Sequence, residues 1–285
     1  MFECVVNLAE GRDVARLDDL AHVAGPCLRD RHHDPDHHRS VFTLIDEPAP
    51  LLEAVIALAT RAYRLLDLRP HVGVHPRIGV VDVVPFVALD PARADEACAL
   101  RDALGRWLAD AWLVPVHFYG PRPDGTSRTL PEVRRAVRAG LAPDLGPARA
   151  HASRGASAVG CRSILVAWNL WLADTPVELA RSIATQLRRP GLRTLAFAIG
   201  RDAQVSCNVV DVDAIRLSEV YDQVDALAPK GVDHAELVGL APRAMLDRED
   251  PARWAQLALR EDATIEARLG ASARLGATLQ GPHPA

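Results

Sequence analysis

Apolar and polar positions along the chain switch between two periods, and the switches lay out the elements. Phe2–Asn7 is a short apolar run with strand character. From Asp13 to Ala24 the residues Val14, Leu17, Leu20, Ala21 and Ala24 recur at helical spacing. Residues 27–31 and 40–45 read as strands, and Leu51–Leu68 reads as a helix behind Pro48 and Pro50. Valine-rich Ile78–Val87 predicts a buried strand. Pro91–Trp112 predicts a helix with proline in its first turn, where a missing N–H costs nothing. Val114–Tyr119 is a further strand, so the first half reads βαββαβαβ. In the second half, Ile164–Leu172 reads as a strand and Thr175–Leu187 as a helix, with Thr175 and Glu178 spaced for a capping box. Leu195–Ile199 and Gln204–Val210 face each other across a turn at 200–203, followed by a helix at Leu217–Leu227 and a strand at Ala235–Leu240. Two successive βαββαβ units predict an α+β chain of duplicated ferredoxin-like subdomains, residues 1–163 and 164–285. Pro251–Arg268 adds a helix, and Gly281–Ala285 reads as a frayed tail. Residues 120–160, rich in Gly, Pro and Arg, read as a long functional or disordered loop.

Composition narrows the class. Hydrophobic residues make up 49% of the 285 and charged residues 25%, which excludes disorder as the main state. Thirty-three basic against 37 acidic residues give a net charge of −4, with no basic footprint for nucleic acid. No run approaches the ~20 apolar residues of a membrane helix, and Met-Phe-Glu-Cys does not begin a secretory leader. A cytoplasmic chain without membrane or nucleic-acid partners is expected. Cys4, Cys27, Cys98, Cys161 and Cys207 are odd in number, widely spaced and without C-x-x-C. They read as buried thiols rather than a disulfide framework or a zinc knot.

Histidine carries the chemistry. Six of the eleven fall in two clusters, residues 32–38 and 71–75. The first combines His32, His33, His37 and His38 with Asp34, Asp36 and Arg39. It is open to two readings, a divalent-metal site and a polar loop facing a substrate. In the second, Gly73 and Pro76 forbid a regular helix through His71 and His75. A proline-stiffened loop at the mouth of a buried strand suits a catalytic imidazole, with Arg77 and Asp82 nearby to tune it. Asn7, Glu10 and Arg12 occupy a strand-to-helix turn. The segment Gly146, Pro147, Ala148, Arg149, Ala150, His151, Ala152, Ser153, Arg154 and Gly155 is cationic and suited to an anionic ligand. Walker, dinucleotide-glycine and G-x-S-x-G patterns are absent.

These motifs, taken in order, resemble the formiminotransferase family. The stretches that carry the resemblance are ECVVNLAEGRD (3–13), DPDHHRSVFTL (34–44), HVGVHPRIGVVDVVPF (71–86), VPVHFYG (114–120), APDLGP (142–147), RGASAVGCRSILVAWNLWL (154–172), QVSCNVVD (204–211) and ELVGLAP (236–242). They span roughly residues 2 to 275. The resemblance implies two ferredoxin-like subdomains with a ligand tunnel or groove between them, and a homodimer. It implies transfer of a formimidoyl group between N5 of tetrahydrofolate and the amine of L-glutamate, with N-formimidoyl-L-glutamate as the other form of the substrate. Tetrahydrofolate enters as co-substrate, and no metal is expected. The resemblance makes His75 the catalytic histidine and Gly146–Gly155 the folate-contacting segment. Asn7, Glu10, His37, His38, Arg39, Arg77 and Asp82 are then the candidates around the substrate. A formyl donor or another amine acceptor, and a non-catalytic folate binder, remain open alternatives.

Overall fold

A computed structural model describes residues 1–122 and 124–270, so the tail expected at 281–285 lies outside the described residues. The chain divides into two compact units, residues 1–164 and 165–285. The first unit contains β1 (Phe2–Leu8), α1 (Val14–Ala24), β2 (Leu28–Asp34), β3 (Arg39–Asp46), α2 (Pro48–Leu65), β4 (Val81–Ala88), α3 (Ala94–Trp112), β5 (Val116–Pro121), β6 (Ser127–Arg128), α4 (Leu130–Arg138) and β7 (Ser157–Cys161). Its seven strands form one sheet in the order β2-β3-β1-β4-β7-β5-β6. The pairs among β1, β2, β3 and β4 are antiparallel, whereas β7 lies parallel to both β4 and β5.

Strand alternation decides what each face carries. Phe2, Cys4, Val6 and Leu8 point into a core with Leu17 and Leu20 of α1, Leu51 and Leu58 of α2, and Leu104 and Leu108 of α3. All of these except Cys4 are large apolar side chains with no exposed surface. At about 25 cal/mol per Å² of apolar area removed from water, each large side chain contributes roughly 1.5–3 kcal/mol. Val83, Tyr119 and Ala158 point the other way and meet Val133 of α4.

The second unit contains β8 (Val166–Leu172), α5 (Val177–Leu187), β9 (Leu192–Ile199), β10 (Asp202–Val209), α6 (Leu217–Leu227), β11 (His234–Val238) and α7 (Arg243–Asp247). Its antiparallel sheet runs β11-β8-β10-β9. In both units the first four strands therefore lie in the order second, third, first, fourth, the split arrangement expected of βαββαβ. The core of this unit gathers Trp168 and Leu170 of β8, Ile183 of α5, Val205 of β10 and Val220 of α6. Among the described residues, no helix is long and apolar enough to cross a membrane.

Four expectations are corrected. Residues 120–160 are not one loop: they hold the end of β5, all of β6 and α4, and four of the five residues of β7. The capping box forms at Thr129–Glu132, where each side chain bonds the other residue's backbone. It does not form at Thr175–Glu178, because α5 starts later and the Thr175 hydroxyl donates to the Ala173 carbonyl instead. Residues 251–268 are not one helix but two 3₁₀ turns followed by helix from residue 265. Finally, the cysteines are not all free thiols. Cys98 of α3 and Cys161 of β7 are joined as a disulfide with Cα atoms 5.3 Å apart. Their separation of 63 residues hid the pair in the sequence, yet α3 packs directly on β7. Cys4, Cys27 and Cys207 are the buried free thiols.

Unreduced, denatured protein is expected to titrate three thiols with Ellman's reagent. Five would mean that Cys98 and Cys161 are not bonded. Closing a loop of 63 residues stabilises by about 4 kcal/mol in the chain-entropy account. A Cys98→Ala, Cys161→Ala double variant should lose about that much in urea unfolding.

Candidate active site

The site forms where three strand ends and one helix of the first unit meet. β1 ends in an irregularity of its pairing with β4 at Asn7 and Leu8, the kind of bulge that re-aims side chains at a sheet end. The Asn7 amide is fully engaged. Its Oδ1 accepts from Arg39 Nε at 3.0 Å and Arg39 Nη2 at 2.7 Å, and its Nδ2 donates to the Val5 carbonyl at 2.9 Å. Past β1 the chain turns into α1 around Glu10. That carboxylate accepts the backbone N–H groups of Gly11 and Arg12, both at 2.9 Å, and of Asp13 at 3.1 Å. Burial alone would raise its pKa, but these donors outweigh it and hold Glu10 below the usual carboxylate range.

The turn from β2 to β3 folds over Asp34, whose Oδ1 accepts from Asp36 N at 2.8 Å and His37 N at 2.7 Å. His38 follows in the left-handed region, at φ 49°. Its Nδ1 accepts from Gly11 N at 3.1 Å, and its ring stacks on His71 at 4.0 Å. The turn is clamped between two glycines. A Cβ on Gly11 would lie 2.2 Å from the Asp34 carbonyl, and one on Gly73 would lie 2.3 Å from the His37 carbonyl. Only glycine permits either approach.

The loop carrying His75 is stapled by Arg77. Its guanidinium donates to the carbonyls of His71 at 2.7 Å and of Gly73 and His75 at 3.2 Å. His71 Nε2 donates to the His38 carbonyl at 2.8 Å, tying loop to turn. His75 precedes proline, which favours extended backbone there. Its Nδ1 lies 2.8 Å from both Arg39 Nη1 and the Pro76 carbonyl, and its ring meets His37 edge-on at 5.7 Å.

Beneath them sits Asp82, 1% exposed. Oδ2 accepts from Arg39 at 2.7 Å and from Arg134 at 2.8 Å, and Oδ1 accepts from Ile78 N at 2.7 Å. Burial pulls Arg39 down to about 10 against the attraction of Asp82, so it stays cationic at neutral pH. His75 is pushed well below the ordinary imidazole value, first by burial and then by Arg39, Arg134 and His37. It is neutral at pH 7. A small concavity above this network is lined by His37, His38, Arg39, His75, Arg77 and Asp82.

Every residue expected around the substrate thus converges: Asn7, Glu10, His37, His38, Arg39, His75, Arg77 and Asp82. The C-terminal end of segment 146–155 bonds to the backbone that flanks the same loop, while Gly146 packs against Val114 and Ala109. Leu68 N donates to the Ser153 carbonyl, Val80 N to the Arg154 carbonyl and Ala156 N to the Ile78 carbonyl, each at 2.8 Å. Arg154 turns to Trp112, donating to its carbonyl at 3.2 Å with the guanidinium 4.7 Å above its ring. Arg149 is exposed. Among the described residues no group of three or more His, Cys, Asp or Glu is arranged to hold a metal ion. In the first cluster, His38 is committed to Gly11 and to stacking on His71. Arg134 is the residue the sequence reading missed. The Thr129–Glu132 box and the proline at Pro131 were the signals for the helix that carries it.

Comparison with known proteins gives this geometry its context. Residues 1–162 match the family described as "Formiminotransferase domain, N-terminal subdomain". The chain belongs to the formiminotransferase family. It is 31% identical to a glutamate formimidoyltransferase of Streptococcus pyogenes over 86% of this chain and 90% of that protein. It is 30% identical to one of Thermoplasma acidophilum, over 87% and 90%. A formimidoyltransferase-cyclodeaminase of Rattus norvegicus is 33% identical over 87% of this chain and 51% of its own length. The formiminotransferase chain described here therefore spans about half the length of such longer relatives. The network from Asn7 to Arg134 lies wholly inside the matched residues.

Two outcomes follow. Asp82→Ala should cost about 3–5 kcal/mol in urea unfolding, because it leaves buried Arg39 without its counter-charge. Burial, helped by His38 and Arg77, lowers the His71 pKa to about 4 from an ordinary 6.5. Above pH 6.5 both native and unfolded rings are neutral. As pH falls toward 4 the unfolded chain takes up a proton that the native ring refuses, so stability drops across that window. Stability curves for His71→Asn should be flatter there than for wild type.

Proposed function

We propose that this chain catalyses folate-dependent transfer of a formimidoyl group between N5 of tetrahydrofolate and the amine of L-glutamate, a step of histidine degradation. One observation carries the reading: a neutral, immobilised imidazole, His75, faces a concavity inside the residues that match the family. The relatives named glutamate formimidoyltransferase, of which this chain covers 90%, support the substrate pair.

In the reaction, a neutral amine attacks the amidinium carbon and gives a tetrahedral adduct whose carbon carries three nitrogens: the attacking amine, the amine that held the group, and the nitrogen of the formimidoyl group itself. The adduct collapses by breaking the bond to the amine that held the group. The attacking nitrogen loses a proton and the departing nitrogen gains one. His75 moves that proton, as acid toward folate N5 in one direction and as base in the other. Proton transfer of this kind is worth ~10²–10⁴-fold in rate. Holding both substrates in one site adds the proximity contribution. Tetrahydrofolate lies along Gly146–Gly155, with exposed Arg149 available for its carboxylates. Arg77 is occupied by loop carbonyls, so its part is to hold the loop. The reading includes a homodimer in the cytoplasm, a setting that keeps the Cys98–Cys161 pair under reducing pressure.

The direct test is turnover of N-formimidoyl-L-glutamate with tetrahydrofolate, alongside formylglutamate and a panel of amine acceptors. His75→Asn should fold normally, bind folate nearly as well and lose ~10²-fold or more in kcat. The same change at His71, His117 or His234 should cost much less. Wild-type kcat in His75→Asn, with activity lost on changing another histidine, would remove His75 from this role.

A further inference from the structure

We propose that the Cys98–Cys161 bridge is a thiol–disulfide exchange site, entered by an external thiol at Cys98 and left by Cys161 as a thiolate held by Arg101. Helical spacing sets up the arrangement. Cys98 and Arg101 are three residues apart on α3, so their side chains share one face of the helix. That face packs on β7, whose last residue is Cys161.

The two sulfurs of the bridge are unlike. Arg101 Nη1 donates to Cys161 Sγ at 3.5 Å, whereas among the described residues no donor reaches Cys98 Sγ. Cys161 is 2% exposed and Cys98 is half-buried. Arg101 is itself buried, and a guanidinium keeps its charge inside a protein. It is held in place from three sides. Nε donates to Asp102 at 2.7 Å, Nη1 also donates to the Pro121 carbonyl, and the guanidinium stands 5.0 Å over the ring of Phe118. Its counter-charge, Asp102, is partly open to water. A buried cation with so screened a partner gains from a second anion, and a thiolate on Cys161 is that anion.

Exchange begins when a thiolate attacks the sulfur it can reach and expels the sulfur that better carries negative charge. Here the first is Cys98 and the second is Cys161. With a dithiol as reductant, its first thiolate forms a bond to Cys98 Sγ while the Cys98–Cys161 bond breaks and its electron pair leaves on Cys161. The second thiolate of the reductant then attacks the reductant's own sulfur in the mixed disulfide and expels Cys98. Two electrons pass from dithiol to bridge, and the two cysteines take up the two protons the dithiol gave. Closure runs the same steps backward, with Cys161 as the attacking thiolate. In the cytoplasmic setting proposed above, where bridges in proteins are mostly transient or redox-sensing, Cys98 is the point at which the thiol pool acts on the link between α3 and β7.

The test maps which sulfur is attacked. The protein is equilibrated with glutathione disulfide to close the bridge, then exposed in its folded state to excess reduced glutathione. Samples taken before reduction is complete are quenched with acid, alkylated with N-ethylmaleimide in denaturant and read by peptide mass spectrometry. Glutathione should sit on Cys98, with maleimide on Cys161, at least about tenfold more often than the reverse. In Arg101→Met, opening of the bridge by dithiothreitol should slow about tenfold, because the leaving thiolate has lost its cation. A variant that had only loosened would open faster, so the direction of the change separates the two causes. The proposal is overturned by a smaller preference for Cys98, by a bridge that neither closes nor opens in the folded protein, or by a folded Arg101→Met that opens as fast as wild type or faster. Should Arg101→Met fail to fold, the labelling pattern of wild type decides by the same criterion. Neither measurement involves folate or turnover, so the outcome is independent of the transfer assay.

Discussion

The buried ion pair between Arg39 and Asp82 is the constraint on which the site depends. Two charges removed from water repay their desolvation only when nearly all their hydrogen-bonding capacity is used. Here it is nearly used up: Asn7 takes two of the guanidinium donors, Asp82 a third and His75 a fourth. Asp82 also receives Ile78 N and Arg134. These partners come from the end of β1, the start of β3, the start of β4 and the middle of α4. Satisfying the charges therefore fixes four elements relative to one another, and His75 inherits its position from them.

A second level of order comes from backbone approach. The β2–β3 turn is gripped by glycine on each side, and the His75 loop is pinned from within by Arg77 and from behind by the backbone of residues 153–156. The neutrality of His75 follows from this packing. A mobile loop would let water reach the ring and restore its ordinary protonation, whereas a held loop keeps the ring dry and beside two cations.

Much of this was legible in the residues. Strong period-2 and period-3.6 runs gave β1 through β5 and α1 through α3 to within a few residues, and the strings around Asn7, Arg39 and His75 named most of the network. What escaped depended on contacts distant in sequence. α4 was lost because Arg134, Arg135 and Arg138 dilute its apolar face, leaving Val133 as its buried residue. The Thr175–Glu178 spacing matched a capping box, but Pro176 shifted the start of the helix. The Cys98–Cys161 pair needed α3 laid on β7, which no local pattern encodes. The meeting of Arg39 and Pro76 at a single nitrogen of His75 is geometry at a scale that sequence does not express.

The place of β7 has a consequence for how the first unit is made. This strand is the filling between β4 and β5, parallel to both, yet it is the last of the unit to leave the ribosome. Parallel insertion across so many residues is slow, because loop-closure entropy is spent before any contact repays it. Until residue 161 has emerged, the valine-rich β4 presents an open edge of unpaired N–H and C=O groups, the kind of edge that invites association with other chains. Pairing of Arg154 and Ala156 with Ile78 and Val80 comes with the same event. Synthesis thus completes the backing of the His75 loop and the closing of the sheet in one late step, and a nascent chain stopped short of β7 has neither.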